Sequence, residues 1–225
     1  MTRKVVTRAP HREVGVVNPA WLLDHAVEHE SHLERRFIMV ALACPVVLDI
    51  VHQPLQLTLV VDSGQGPTER KYTPDFRLTL ADGTEVIVEC KPAKFVDQNQ
   101  NLFAQAEAAL KVMGYAFLIV TDDQIDRAGL SSRALLLTRY GRLNVSAEDA
   151  LQCRQLIEEF GGDAQVSDLL EQGLSEATIW NLVARHQLKV PVGLPMTETS
   201  SVCINNHVEE DCHDYLCRWL GAPTR

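Results

Sequence analysis

Two acids and a lysine stand out between positions 72 and 92: Asp75 in Tyr72-Thr73-Pro74-Asp75-Phe76, and Glu89 with Lys91 in Val88-Glu89-Cys90-Lys91-Pro92. Between them, Ala81-Asp82-Gly83 reads as a three-residue hairpin loop, with Gly83 supplying the left-handed conformation such loops need. That loop sets Leu80 opposite Thr84 and therefore Asp75 opposite Glu89. Two-residue alternation puts Asp75, Glu89 and Lys91 on one side, while Phe76, Leu78, Leu80, Val86, Val88 and Cys90 form a core face on the other. Facing carboxylates roughly 5 Å apart repel each other, so the pair makes sense with a cation between them. Mg²⁺ suits such a place, because it is hard and takes carboxylate and water oxygens; Mn²⁺ can substitute. Lys91 is near enough to offset charge and to orient or deprotonate a water attacking phosphorus. A bare Asp…Glu-x-Lys pattern is also what an ordinary surface hairpin can show, so its surroundings must decide.

Those surroundings read as alternating helix and strand. Apolar spacing predicts a helix over 21–43, carried by Leu22, Leu23, Ala26, Leu33, Phe37, Val40 and Ala41 and closed by Pro45. Strands follow over 46–51 and 55–61, a loop over 62–67, and strands over 72–80 and 84–90. An Ala- and Leu-rich helix over 97–113, a buried strand over 115–121 and a helix over 131–140 complete a unit spanning 13–144. The fold class is α/β, a mixed sheet flanked by helices. A change of character at 141–144 begins a small, mainly helical unit over 145–190, with helices over 147–160 and 175–187, the latter capped by Ser175. Two such units are expected to behave separably, and prolines and polar residues over 191–225 read as an extended tail. Residues 1–12 carry Arg3, Lys4, Arg8 and Arg12 with no acid before Glu13, as either a basic arm for phosphates or a solvated tail.

Composition limits how the pair could be used. A formal charge of −9 over 225 residues argues against a protein that grips DNA strongly by itself, since non-specific affinity comes mostly from neutralising phosphates. The apolar runs fall short of a membrane span and no apolar signal segment follows the basic start, so a cytoplasmic protein is expected. Six cysteines without a CxxC pair read as thiols. Cys203, His207, Cys212, His213 and Cys217 offer metal-ligand types, but their spacing fits no standard zinc site, and a helix burying Cys212, Leu216, Cys217 and Leu220 explains them equally. His25, His29 and His32 read as core or surface histidines.

Several separated segments together resemble a known family, the PD-(D/E)xK nucleases of the restriction-endonuclease-like fold, and within it the TnsA-type endonuclease subunit of heteromeric transposases. The likeness rests on Ser31-His32-Leu33-Glu34, on 46–54 ending in Gln53-Pro54, on Thr73-Pro74-Asp75-Phe76, on Val88-Glu89-Cys90-Lys91-Pro92, and on Val120-Thr121-Asp122. It covers roughly 10–140, with the motifs in the family's order. The resemblance implies that Glu34 is the helix-borne acid, Asp75 the central metal-binding acid, Glu89 the second metal-facing position and Lys91 the catalytic lysine. Where the best-known members carry glutamine, this chain has Glu89, the acid usual in the wider superfamily and a stronger ligand. Glu30, one helical turn before Glu34, competes for the helix-borne role, and Gln53 reads as a residue that shapes the chain beside the site. The resemblance further implies Mg²⁺-dependent hydrolysis of the strand at transposon 5′ ends during DNA transposition, in a bacterial protein that joins the nucleoid when assembled. Its partners would be transposon-end DNA, a DDE-type transposase subunit of the TnsB type, and an AAA+ ATPase regulator of the TnsC type docked through 145–225. The acid-rich surface of 145–190 suits a protein partner better than a DNA groove. A stand-alone restriction or repair nuclease, and a non-catalytic assembly subunit on the same fold, are the alternatives.

Overall fold

The computed structural model describes residues 14–62, 66–206 and 211–223. The basic arm at 1–12, the centre of the 62–67 loop and His207 lie outside the described residues. In chain order the elements are β1 (Gly15–Val17), β2 (Val27–His29), α1 (His32–Leu42), β3 (Val47–His52), β4 (Leu57–Asp62), β5 (Pro67–Tyr72), β6 (Phe76–Leu80), β7 (Glu85–Cys90), α2 (Gln100–Val112), β8 (Ala116–Val120), α3 (Asp122–Asp126) and α4 (Leu130–Gly141). There follow α5 (Ala147–Glu159), β9 (Asp163–Gln165), α6 (Val166–Glu171), α7 (Glu176–Ala184), β10 (Leu188–Lys189), β11 (Ser201–Ile204) and α8 (Cys212–Leu220).

Alternating apolar residues on β6 and β7 build a four-stranded mixed sheet in the order β3-β6-β7-β8. β7 runs antiparallel to β6 and parallel to β8. Helices flank this sheet, an α/β arrangement consistent with a restriction-endonuclease-like fold. Phe76, Leu78, Leu80, Val86 and Val88 face one side and join Phe37, Ile38, Val40 and Ala41 of α1 in the main core. On the other side Ile87 meets Leu102, Phe103, Ala106 and Leu110 of α2, together with Leu57 and Leu59 of the two-stranded β4–β5 ribbon. With both faces covered, β7 carries the continuous apolar run Val86-Ile87-Val88 between Glu85 and Glu89, as strands covered on both sides do.

Three departures from the sequence-based expectations have local causes. The helix expected over 21–43 begins at His32, because Ser31 caps it: Ser31 Oγ accepts the Glu34 N–H at 3.1 Å. Upstream of that cap, β1 and β2 pair instead. The strand expected over 72–80 is broken, with β5 ending at Tyr72 and β6 starting at Phe76. Pro74, lacking an N–H, sits in the break, where it interrupts no ladder. The stretch 191–225, expected as an extended tail, contributes β11 to a small sheet ordered β10-β11-β9 and then folds into α8. Tyr215, Leu216, Trp219 and Leu220 recur at helical spacing and bury one face of α8, so leaving them extended in water is unfavourable.

Residues beyond 144 share the main core with α1 and α4. Trp219, fully buried, donates from Nε1 to the Val40 carbonyl at 3.1 Å. His186 Nε2 donates to the Leu42 carbonyl at 2.9 Å, and Asn205 Nδ2 to the Pro45 carbonyl at 3.4 Å. Among the described residues, no helix is long and apolar enough to cross a membrane.

Candidate active site

The hairpin register places the two acids as the loop requires. Leu80 N–H donates to the Thr84 carbonyl at 2.9 Å, Gly83 has φ 84°, and Phe76 pairs with Val88, so that Asp75 stands across from Glu89. Asp75 is fastened to the neighbouring strand by its side chain: Oδ2 accepts the Cys90 N–H at 2.7 Å. The lysine's backbone is held from the far side, Lys91 N–H donating to the Val120 carbonyl of β8 at 2.9 Å. Lys91 Nζ lies 3.1 Å from Glu89 Oε1.

Glu34 comes from the first turn of α1. Its Oε1 accepts from Ser31 Oγ at 2.8 Å and its Oε2 from the Glu30 N–H at 2.6 Å, so the unpaired donors of the helix start hold the acid in place. Glu34 and Glu89 are both buried, at 8% and 6% exposure. Burial raises the Glu34 carboxyl above its ordinary range, partly offset by the Glu30 N–H and Ser31, with Glu30 and Glu89 pushing it further up. Burial likewise holds Asp75 well above the usual carboxylate range, reinforced by Glu89 and Glu34 and opposed by the Cys90 N–H and Lys91. Glu34 from α1, Asp75 just before β6 and Glu89 on β7 thus lie in one neighbourhood, although their carboxylate oxygens do not all fall within 4.8 Å of one another. Glu30 precedes α1, and its side chain is engaged by Gln53 Nε2 at 3.2 Å.

Gln53 adopts the left-handed region at φ 44°, and its N–H donates to the Asp75 carbonyl at 2.8 Å. Such backbone is uncommon for a side-chain-bearing residue and clusters at functional sites. Gln53 thus bends the exit of β3 and pins the main chain of Asp75, the shaping role its position suggests.

Sequence reasoning missed three neighbours. Tyr72 donates its hydroxyl to Glu89 Oε2 at 2.8 Å. His52, with a side chain only 7% exposed, brings Nε2 to 3.9 Å from Glu34 Oε2, and burial lowers its imidazole pKa. Asp122 accepts the Ala93 N–H at 2.8 Å, fixing the chain just after Lys91-Pro92. The family-like Thr121-Asp122 segment was the available signal for the last; nothing in spacing reveals the first two.

The donors offered here are hard carboxylate oxygens, with Lys91 in contact with Glu89, so the donor chemistry fits a divalent cation. Each acid is also tied by its own donors. Among the described residues, the group of three whose ligand atoms all fall within 4.8 Å of one another is Asp211, His213 and Asp214 at the start of α8. Asp211 there is the helix N-cap, accepting the Asp214 N–H at 2.9 Å. Of the cysteine–histidine pattern, Cys212 and Cys217 are buried with Leu216 and Leu220, and His213 lies 3.9 Å from Cys217 Sγ.

No curated protein matches the chain at a significant level. Residues 44–122, which contain Asp75, Glu89 and Lys91 and begin after Glu34, match the family model described as TnsA-like endonuclease N terminal, and this segment is therefore similar to a nuclease domain of that type.

Proposed function

We propose that this chain is a Mg²⁺-dependent DNA endonuclease subunit that hydrolyses the strand at transposon 5′ ends within a heteromeric transposase. The observation that carries the reading is the facing pair Asp75 and Glu89 with Lys91 at their edge, inside the stretch similar to TnsA-like endonucleases. Glu34, Asp75 and Glu89 are the residues that would hold the ion, Mn²⁺ serving in place of Mg²⁺. When bound, the ion supplies charge neutralisation for the phosphodiester and acidifies water. Lys91 Nζ, carried on a strand end fastened to Val120 and paired with Glu89, orients the attacking water and offsets charge on the phosphate oxygens, the proton of the metal-acidified water leaving to solvent. Tyr72, Ser31 and the Glu30 and Cys90 N–H groups keep the three acids from turning away. Hydrolysis leaves a 5′-phosphate and a 3′-hydroxyl.

With a net charge of −9, delivery to DNA by partners is the consistent arrangement: a DDE-type transposase subunit for the other strand, and an AAA+ ATPase docked on 145–225. The acids of α5 and α6, Glu148, Asp149, Glu158, Glu159, Asp168 and Glu171, support a protein partner on that surface.

The test is cleavage of end-labelled transposon DNA by the chain reconstituted with both partners. Cleavage at the 5′ ends is expected in Mg²⁺ and is expected to vanish in Asp75→Asn. Normal cutting by that variant, or cutting in excess chelator, overturns the assignment. Robust cleavage of arbitrary DNA by the chain alone points instead to a stand-alone nuclease.

A further inference from the structure

The carboxylate of Glu89 has partners of two kinds. Lys91 Nζ stands 3.1 Å from Oε1, and the Tyr72 hydroxyl donates to Oε2 at 2.8 Å. Tyr72 is the last residue of β5, paired with Leu57 of β4, and its ring belongs to the apolar layer formed with Leu57, Ile87, Leu102 and Phe103. A tyrosine so buried, with only two side-chain torsions and a packed ring, presents its hydroxyl at a fixed point. Glu89 has one more side-chain torsion, so the orientation of its carboxylate depends on its partners as well as on the packing that buries it.

One outcome of that freedom would harm the site. If Glu89 turned both oxygens onto Lys91, the pair would neutralise itself, and both groups would be less available to the cation and the water. The hydroxyl of Tyr72 prevents this by holding Oε2 aside, so that Lys91 meets a single oxygen. A neutral donor does this without cancelling the negative charge that a cation needs. The arrangement resembles the way outer hydrogen bonds orient metal-binding carboxylates in general.

On the reading of the site given above, we propose that Tyr72 is a positioning residue for the divalent cation: its hydroxyl fixes the orientation of Glu89 and thereby ties the β4–β5 ribbon to the metal site.

Tyr72→Phe removes the hydroxyl and keeps the ring. Calorimetric titration of Mn²⁺ into the variant is expected to show affinity weakened by about tenfold, the lower end of what lost outer hydrogen bonds cost at metal sites. In the assembled complex, the Mn²⁺ concentration giving half-maximal cleavage is expected to rise by the same factor, with the rate at saturating Mn²⁺ within about twofold of wild type. In a Glu89→Gln background, Tyr72→Phe is expected to change Mn²⁺ affinity no further, since the two groups act as a pair. A purely structural tyrosine would lower the maximal rate and leave the half-saturating concentration in place, which overturns the assignment. So does an equal effect of Tyr72→Phe with and without Glu89. Wild-type protein with labelled tyrosine rings gives a measurement that needs no altered Tyr72. Its Tyr72 resonance is expected to move as Mg²⁺ saturates and to stay put in Asp75→Asn; a resonance that never moves overturns the assignment. Failure of the wild type to bind Mn²⁺ at all defeats the functional reading, and this one with it. Wild-type binding that Asp75→Asn abolishes and Tyr72→Phe leaves intact defeats only the role of Tyr72.

Discussion

Asp75 and Glu89 bring negative charge to a place where protein replaces water, and Glu34 adds a third carboxyl from α1. Burial and its acidic neighbours raise the pKa of Asp75 on folding, so the charged form opposes the fold. A carboxyl whose pKa is raised on folding contributes stability that is present below its unfolded pKa and lost as pH rises through the folded value. Asp75→Asn, neutral and of nearly equal volume, is therefore expected to raise the melting temperature of chelator-treated protein. The gain should grow as pH rises through the raised pKa of Asp75 and shrink as pH falls below it; thermal denaturation across a pH series checks it, and a loss of stability at the alkaline end contradicts it. The role proposed for Lys91 is different. Lys91→Ala should keep Mn²⁺ binding in calorimetry and lose cleavage by at least about a hundredfold, the scale on which one fixed electrostatic stabiliser of the transition state acts. Ca²⁺, larger and less exacting in geometry, is expected to bind and to support little turnover in the same cleavage assay.

The elements were readable wherever a short-range rule fixes geometry. A glycine at the third position of a three-residue loop, with alternation on either side, determined the register that sets Asp75 across from Glu89, and Gly83 at φ 84° meets that requirement. Tyr72 and His52 were not readable, because their reach to Glu89 and Glu34 depends on the break at Pro74 and on the left-handed Gln53, which alternation cannot foresee. The start of α1 was misplaced for a similar reason: apolar residues at 22–26 mimic helical spacing, whereas the Ser31 cap is what stops the helix. That cap joins structure to site. Ser31→Ala removes both the bond from the Glu34 N–H and the donor to Glu34 Oε1, and is expected to cost about 1 kcal/mol of stability in chemical denaturation. Ser31→Thr, which keeps the hydroxyl, should recover most of it; an unchanged midpoint in Ser31→Ala would show that the cap contributes nothing.

Across the whole molecule, the stretch beyond 144 is joined to the four-stranded sheet through one core that includes α1, α4, α7 and α8. Separable behaviour of a unit ending near 144 meets a physical obstacle there, since removing α7 and α8 uncovers Val40, Leu42 and Leu137, all buried. Trp219→Ala should lower global stability by about 3–5 kcal/mol, as loss of a fully buried large side chain does. It should do so in one cooperative transition seen alike by probes of α8 and of the sheet; two separate transitions would show that the halves fold independently. The bond from Trp219 to Val40 spans 179 residues of sequence. A ribosome makes β6 and β7 long before it makes α8, so during synthesis the face of α1 that carries Val40 waits uncovered, and α1 is the helix that presents Glu34. The packing behind the helix that carries Glu34 is therefore complete only once the distal chain has emerged.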